Sequence, residues 1–209
     1  MRYAALAESA YGMEGYRRYG EFIPFGVNHR ELPNPATLRR FSDEQLYALA
    51  LFIYSLQPPP NPNQASELSS AGERIFRREG CAGCHTPPLY TNNKLIPVDG
   101  FEIPVAHRKA YDILEARIGL DPTLALRSRR ATGYYKVPSL KGVWYRSVFE
   151  HNASVASLED WFDPARVRDD YVPTGYLGTG KSRAVRGHPF GLKLTAEEKR
   201  ALIAFLKTL

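Results

Sequence analysis

The feature that most constrains this chain is the pentapeptide Cys81-Ala-Gly-Cys84-His85, which contains both cysteines of the 209-residue sequence. Two thiols three positions apart lie on one side of a helical turn, and the histidine directly follows the second thiol. A disulfide-exchange motif or half of a zinc site needs only the two cysteines. The adjacent histidine is the informative addition, because it places an imidazole ligand beside two neighbouring thiols.

Covalent attachment of haem requires this combination. Two thiols must add to the vinyl groups at one porphyrin edge while an imidazole from the same segment reaches the iron. The pattern therefore predicts one covalent haem c, attached through Cys81 and Cys84, with His85 as an axial iron ligand. Dithiol chemistry and zinc binding are the alternatives. A zinc site is disfavoured because further cysteines are lacking and the other histidines, at positions 29, 107, 151 and 188, are scattered.

A proline-rich segment at 58–64 predicts a boundary in the chain. Consecutive prolines cannot continue a helix and favour an extended, semi-rigid connector. We therefore expect residues 1–57 to be the C-terminal part of an upstream unit and residues 65–209 to be a second unit.

Two amphipathic stretches, 42–56 and 195–209, align without gaps and predict a helix each. Both begin with a capping box, in which Ser42 pairs with Gln45 and Thr195 with Glu198. The similarity suggests an internal repeat, although any two amphipathic helices share such a pattern.

Two further helices are expected, and the rest of the chain reads as long irregular loops. The first runs from Ser69 or Ser70 to about Glu79, where Gly80 ends it. The second lies near 107–118. Because no run of period-two alternation is present, we expect little strand and a mostly α fold.

These residues resemble a known family. The stretch 70–76 together with the C-A-G-C-H segment is similar to the first helix and haem site of class I c-type cytochromes, in which a glycine at the position of Gly72 lets the first and last helices cross closely. Residues 135–161 resemble the region after the C-terminal haem of bacterial dihaem cytochrome c peroxidases and the related rubber oxygenases. The resemblance implies a class I cytochrome c-like haem domain over 65–209, after the remnant of an upstream cytochrome-like unit. It also implies a periplasmic or exported protein.

The chain departs from this family in two respects. A dihaem enzyme contains two C-x-x-C-H motifs, whereas this sequence has one, and Ala153 replaces the usual glycine after His151-Asn152. We therefore expect a single-electron carrier, or the electron-transfer part of a larger dihaem enzyme, that works with a redox partner protein or an upstream haem domain. The alternative is a peroxidase or oxygenase acting at an open distal position. No catalytic residue is assigned.

A histidine is the expected sixth iron ligand, because the two methionines, Met1 and Met13, lie outside the haem unit. His188 is the first candidate, since the glycines and proline around it predict a tight loop that projects its imidazole. The segment also resembles a G-H-x-x-G element of bis-histidine relatives of the rubber oxygenases. A purely structural His188, His151 or an open position are the alternatives, with Tyr134 or Tyr135 more remote. His107 is interpreted as a surface residue.

The formal net charge of +6 is concentrated in the second part of the chain, and residues 124–146 carry six basic residues and no acidic one. This stretch is either a solvated basic face or a group that holds haem propionates. Nucleic acid is not an expected partner, because no fingerprint of a nucleic-acid-binding module accompanies the charges.

Residues 1–20 do not form a secretory signal, and no apolar run is long enough to span a bilayer. Trp144 and Trp161 are interpreted as packing walls of a porphyrin, with electron relay as the alternative.

Overall fold

The structure is a computed structural model that describes residues 15–16, 22–23, 43–127, 132–175 and 184–209. Contacts divide the chain into two compact units. The first comprises residues 1–59 with 126–132, and the second comprises residues 60–125 with 133–209. The C-A-G-C-H segment belongs to the second unit.

The described part of the first unit contains a short antiparallel pair, β1 (Gly15–Tyr16) and β2 (Phe22–Ile23), and one helix, α1 (Asp43–Ser55). The helix expected over 42–56 is therefore confirmed. Its predicted cap, Ser42, lies outside the described residues.

The second unit combines short helices with a two-stranded sheet and long irregular connections. Its elements, in chain order, are α2 (Glu67–Arg78), β3 (Leu95–Pro97), α3 (Val105–Ala110), α4 (Pro122–Arg127, which ends in the first unit), β4 (Tyr134–Lys136), α5 (Leu158–Trp161) and α6 (Ala196–Lys207). Among the described residues of this unit, single 3-10 turns lie at Cys81–Gly83, Val143–Tyr145 and Pro164–Val167. Within the described ranges, no helix is long and apolar enough to cross a membrane.

The expectation of a mostly α fold is met only in part, because strands β3 and β4 pair in an antiparallel sheet. Leu95 lies opposite Lys136, and Pro97 lies opposite Tyr134. Each strand has three residues, which is too short for a period-two pattern to be visible in the sequence. The described chain is therefore a mixed structure with modest helix content.

The core lies where α2 and α6 cross. The buried residues of α2 recur at helical spacing along one face, and they meet the apolar face of α6. The cluster contains Ile75, Phe76, Val143, Leu158, Phe162, Leu194, Ala201, Leu202, Ile203, Phe205 and Leu206. A Cβ on Gly72 would overlap the backbone carbonyl of Ala201. Gly72 therefore permits the close helix crossing that the resemblance implied.

The ends of these helices test the capping predictions. The Thr195–Glu198 capping box of α6 is confirmed. Helix α2, however, begins three or four residues before the predicted start, because Ser66 is its cap and Ser69 supplies the reciprocal hydrogen bond. The predicted end is confirmed, since Gly80 follows the helix with a left-handed φ of 76°.

The helix expected near 107–118 is shorter and begins earlier, at Val105–Ala110. The chain after it is extended, and Ile113 forms a parallel bridge with Leu95 of β3. The backbone after α3 therefore extends the small sheet instead of continuing the helix. This is a tertiary interaction that overrides local helix preference.

Candidate functional site

The two cysteines lie on the turn that directly follows α2. Residues Cys81–Gly83 form one turn of 3-10 helix, and the amide of His85 donates to the carbonyl of Cys81 over 2.8 Å. Both thiols are free and half-buried. The turn therefore holds two reduced thiols and an imidazole in one compact segment, as the spacing predicted.

The environment of these thiols argues against disulfide exchange. Burial raises the pKa of Cys81 to about 11 and also raises the pKa of Cys84. Cysteines that exchange disulfides have lowered pKa values, because the thiolate is the attacking form. Among the described residues, no cluster of three or more His, Cys, Asp or Glu side chains could hold a metal ion. The zinc alternative thus finds no ligand set in this part of the chain.

The orientation of His85 is fixed by two backbone carbonyl groups. Its Nδ1 atom lies 3.1 Å from the carbonyl oxygen of Tyr90 and 3.1 Å from that of Pro138. Because carbonyl oxygens only accept, Nδ1 must carry the ring proton. Burial also lowers the pKa of His85, which favours the neutral ring. The lone pair is consequently on Nε2, and this is the form that ligates a metal.

The Pro138 carbonyl is held in place by hydrogen bonds on both sides. The Thr91 hydroxyl donates to the carbonyl of Val137 over 2.6 Å, and the Ser139 hydroxyl donates to the carbonyl of Leu89 over 2.5 Å. These bonds tie the 136–140 segment to the loop that follows His85. The role of Pro138 was not identified from the sequence, although the segment itself contributed to the family resemblance.

His188, the first candidate for a second axial ligand, presents a buried nitrogen. Its Nδ1 atom has no hydrogen-bond partner among the described residues. Its pKa is lowered to about 4, mainly by burial and to a smaller extent by the neighbouring His85 and Arg166. His188 is therefore neutral at physiological pH, and the two imidazoles are close enough to interact electrostatically.

A buried arginine supports the His188 segment. Arg166 is fully buried, and its guanidinium donates to the carbonyl oxygens of Trp161, Arg186 and His188. The Trp161 ring lies 4.5 Å from this guanidinium and 5.3 Å from the His188 ring. Arg166 was not predictable from the sequence, because a single arginine among many carries no pattern. Trp161 packs against the candidate ligand, whereas Trp144 packs against Tyr145.

The other histidines of the described ranges, His107 and His151, have partners elsewhere. His151 Nε2 lies 3.2 Å from a carboxylate oxygen of Asp121, and its ring stacks on Tyr135. His107 lies in a helix as expected, but it is half-buried and not a surface residue. Its Nδ1 is 3.1 Å from the Tyr134 hydroxyl. The structure thus gives His151 and Tyr134 hydrogen-bond partners other than a metal.

That the basic residues of 124–146 hold haem propionates stays a prediction. Arg129 and Arg130 lie outside the described residues, and Arg146 donates to the carbonyl of Ser139 over 3.1 Å.

Two glutamates near the candidate site differ in their surroundings. Glu159 pairs with Lys207 at 2.9 Å. Glu150 instead has one buried carboxylate oxygen, and burial raises its pKa to about 7.

The residues present fit a covalently bound haem. The fit rests on two reduced thiols on one turn, on the free lone pair of the neighbouring His85 and on the orphaned nitrogen of a second neutral imidazole, His188. A buried polar atom without a partner is unfavourable, so the orphaned imidazole nitrogen of His188 is consistent with a ligand bound at this position.

Comparison with known proteins finds a relative of the expected kind. The chain is 30% identical over 165 residues to the cytochrome-c peroxidase IdrP1 of Pseudomonas sp. (strain SCT). The match covers 70% of this chain and 41% of that protein, so the chain spans less than half the length of its relative. No family model matches the chain. No solved structure matches it either. The similarity supports a relationship to cytochrome-c peroxidases.

Proposed function

We propose that this chain is a c-type cytochrome unit that binds one haem covalently and transfers single electrons. Cys81 and Cys84 would attach the haem, and His85 and His188 would ligate its iron. The observation that carries the proposal is the pair of carbonyl groups around His85 Nδ1, because they leave Nε2 as the ligating nitrogen beside two free thiols.

Bound haem iron supplies one-electron oxidation and reduction. The residues of this chain bind and orient the group. The carbonyl groups of Tyr90 and Pro138 set the tautomer of His85, and burial keeps His188 neutral. The crossing of α2 and α6 provides an apolar wall beside the C-A-G-C-H turn, against which Cys81 packs. This arrangement supports a class I cytochrome c-like fold for residues 65–209.

The chain would act as the electron-transfer part of a larger dihaem enzyme. Its similarity to a cytochrome-c peroxidase more than twice as long as the matched region supports this role. Its partners would be a redox protein or an upstream haem domain, including the unit of which residues 1–57 are the proposed remnant. The location would be periplasmic or exported, where c-type cytochromes of this kind are expected.

The second candidate function is a peroxidase or oxygenase reaction at a haem with an open distal position. The name of the relative favours it. The two functions differ in whether His188 occupies the sixth position. A six-coordinate iron has no site for peroxide or dioxygen, whereas an open position would bind a small ligand directly.

The test is the mass and the absorption spectrum of the full chain produced together with a cytochrome-maturation system. We expect an intact mass increased by one haem, and a reduced low-spin spectrum that carbon monoxide leaves unchanged. The Cys81→Ser, Cys84→Ser double variant should lack the covalent haem. An unmodified wild-type mass would refute haem binding, and a carbon monoxide-shifted spectrum would favour the second candidate function.

A further inference from the structure

We propose that Arg166 is the positioning residue for His188. Its guanidinium fixes the backbone on both sides of Gly187 and thereby holds the imidazole in the orientation needed for axial ligation. The inference rests on the proposed function, since it concerns how the second axial ligand is held. Three sets of contacts around Arg166 support it.

The first set is the hydrogen bonding of the guanidinium. Arg166 donates from its two terminal nitrogens to the carbonyl oxygens of Arg186 and His188, the latter over 2.9 Å. Its Nε donates to the Trp161 carbonyl over 2.8 Å. The planar guanidinium therefore bridges α5 and the His188 loop through three carbonyl groups. A lysine could not do this, because its ammonium is a single point with a different geometry.

The second set involves Trp161, which contacts both the guanidinium and the imidazole. The Arg166 guanidinium lies 4.5 Å from the centre of the Trp161 ring, and the His188 ring meets the same indole edge-to-face at 5.3 Å. Cation–π attraction fixes the indole, and the indole restricts rotation of the imidazole. Arg166 thus acts on His188 through the backbone and through an aromatic neighbour.

The third set involves Glu150. Burial lowers the pKa of Arg166, and Glu150 is the larger of two neighbouring groups that oppose this shift, the other being Tyr171. Glu150 also lies against Gly187, where a Cβ would overlap its carboxylate oxygen. Gly187 has a left-handed φ of 57°. At Gly187 the loop lies against both the Glu150 carboxyl group and the Arg166 guanidinium, and a residue with a Cβ would not fit there.

Arg168 provides a matched control. It lies just after the same 3-10 turn, two residues after Arg166, but it is exposed and pairs with Asp170 at 2.6 Å. Substitution of Arg168 removes one positive charge, as substitution of Arg166 does, but it leaves the hydrogen bonds to the His188 loop in place. Any difference between the Arg166→Met and Arg168→Met variants therefore reports on the buried contacts and not on net charge.

The experiment measures how readily an external ligand displaces His188 in the holoprotein. Ferric Arg166→Met, Arg166→Lys and Arg168→Met variants are titrated with imidazole and cyanide, and the shift of the Soret absorption band on ligand binding is recorded. We expect Arg166→Met to bind both ligands on the order of tenfold more tightly than wild type, because the two hydrogen bonds to the loop are lost. The ligand affinity of Arg166→Lys should lie between those of wild type and Arg166→Met, and that of Arg168→Met should match wild type.

A double-mutant cycle separates positioning from general stability. In a His188→Ala background the Arg166→Met change should have no further effect on ligand affinity, since it acts through His188. An equal effect in both backgrounds would overturn the proposal. So would an Arg166→Met protein that matches Arg168→Met, or failure of both Arg166 variants to accumulate as folded holoprotein while Arg168→Met does, which would make Arg166 a folding residue.

These outcomes are distinguishable from failure of the proposed function. If wild-type protein carries no haem, or binds carbon monoxide, the axial assignment of His188 fails before any variant is compared. If wild type is low-spin and inert to carbon monoxide but Arg166→Met behaves as wild type, only the role of Arg166 fails. Amide hydrogen exchange at residues 185–190 gives a readout independent of the haem, and it should be faster in the Arg166→Met apoprotein.

Discussion

Gly72 of α2 lies directly against the carbonyl group of Ala201 in α6, and a Cβ at this position would overlap that carbonyl. We expect Gly72→Ala to lower the free energy of unfolding by about 1–3 kcal/mol or more, because the two helices must move apart. Denaturant unfolding monitored by circular dichroism measures this. Gly83→Ala is the control, since a Cβ there would have no atom within 4 Å. Equal stability of the two variants would contradict close packing at the crossing.

The start of α2 can be tested with two serines of the same segment. Ser66→Ala should lower the free energy of unfolding by about 1 kcal/mol, because the Ser66 hydroxyl accepts from the Ser69 amide. Ser70→Ala should leave stability nearly unchanged, since Ser70 is exposed and lies within the helix. Thermal or denaturant unfolding of both variants provides the measurement. A larger loss for Ser70→Ala would place the cap where the sequence alone suggested.

Titration of Glu150 should make the free energy of unfolding depend on pH. Burial raises its pKa from an ordinary value of 4.5, which applies to the unfolded chain, to about 7 in the folded chain. Between these values the folded chain holds a proton that the unfolded chain has released. The associated stability is fully present below pH 4.5 and is lost as the pH rises through 7, by roughly 3 kcal/mol in total.

Glu150→Gln should flatten this slope, because the amide does not titrate. Unfolding free energies measured from pH 4.5 to about 8 test the expectation, with Glu102→Gln as a control at an exposed position. A slope that persists in Glu150→Gln and disappears in Glu102→Gln would show that Glu150 is not the responsible group.

The choice between His188 and His151 as second axial ligand gives opposite results for two variants. His188→Ala should convert the reduced holoprotein from inert to fully reactive with carbon monoxide, because a coordination position opens. His151→Ala should stay inert, since His151 Nε2 is already bonded to Asp121 at 3.2 Å. Reduced absorption spectra with and without carbon monoxide decide between them. Reactivity gained only in His151→Ala would reverse the assignment.

Elements that depend on neighbouring residues were predictable from the sequence. The Thr195–Glu198 capping box joins residues three positions apart, and Gly80 ends α2 through its own backbone freedom. The start of α2 was misplaced because several serines near it can all cap a helix, and only the folded backbone selects Ser66. The β3–β4 pairing was missed because strands of three residues leave no periodic pattern.

The sequence by itself determined the local arrangement of the candidate site, since thiol, thiol and imidazole at positions 81, 84 and 85 fall on one turn whatever surrounds them. Only the tertiary structure decided which atoms orient the imidazoles. His85 bonds to the carbonyl of Pro138, 53 residues away, and the His188 loop is held by Arg166, 22 residues before it. The partners are backbone carbonyl groups, which every residue possesses. Such contacts leave no residue-type signature, and only the folded chain brings them together.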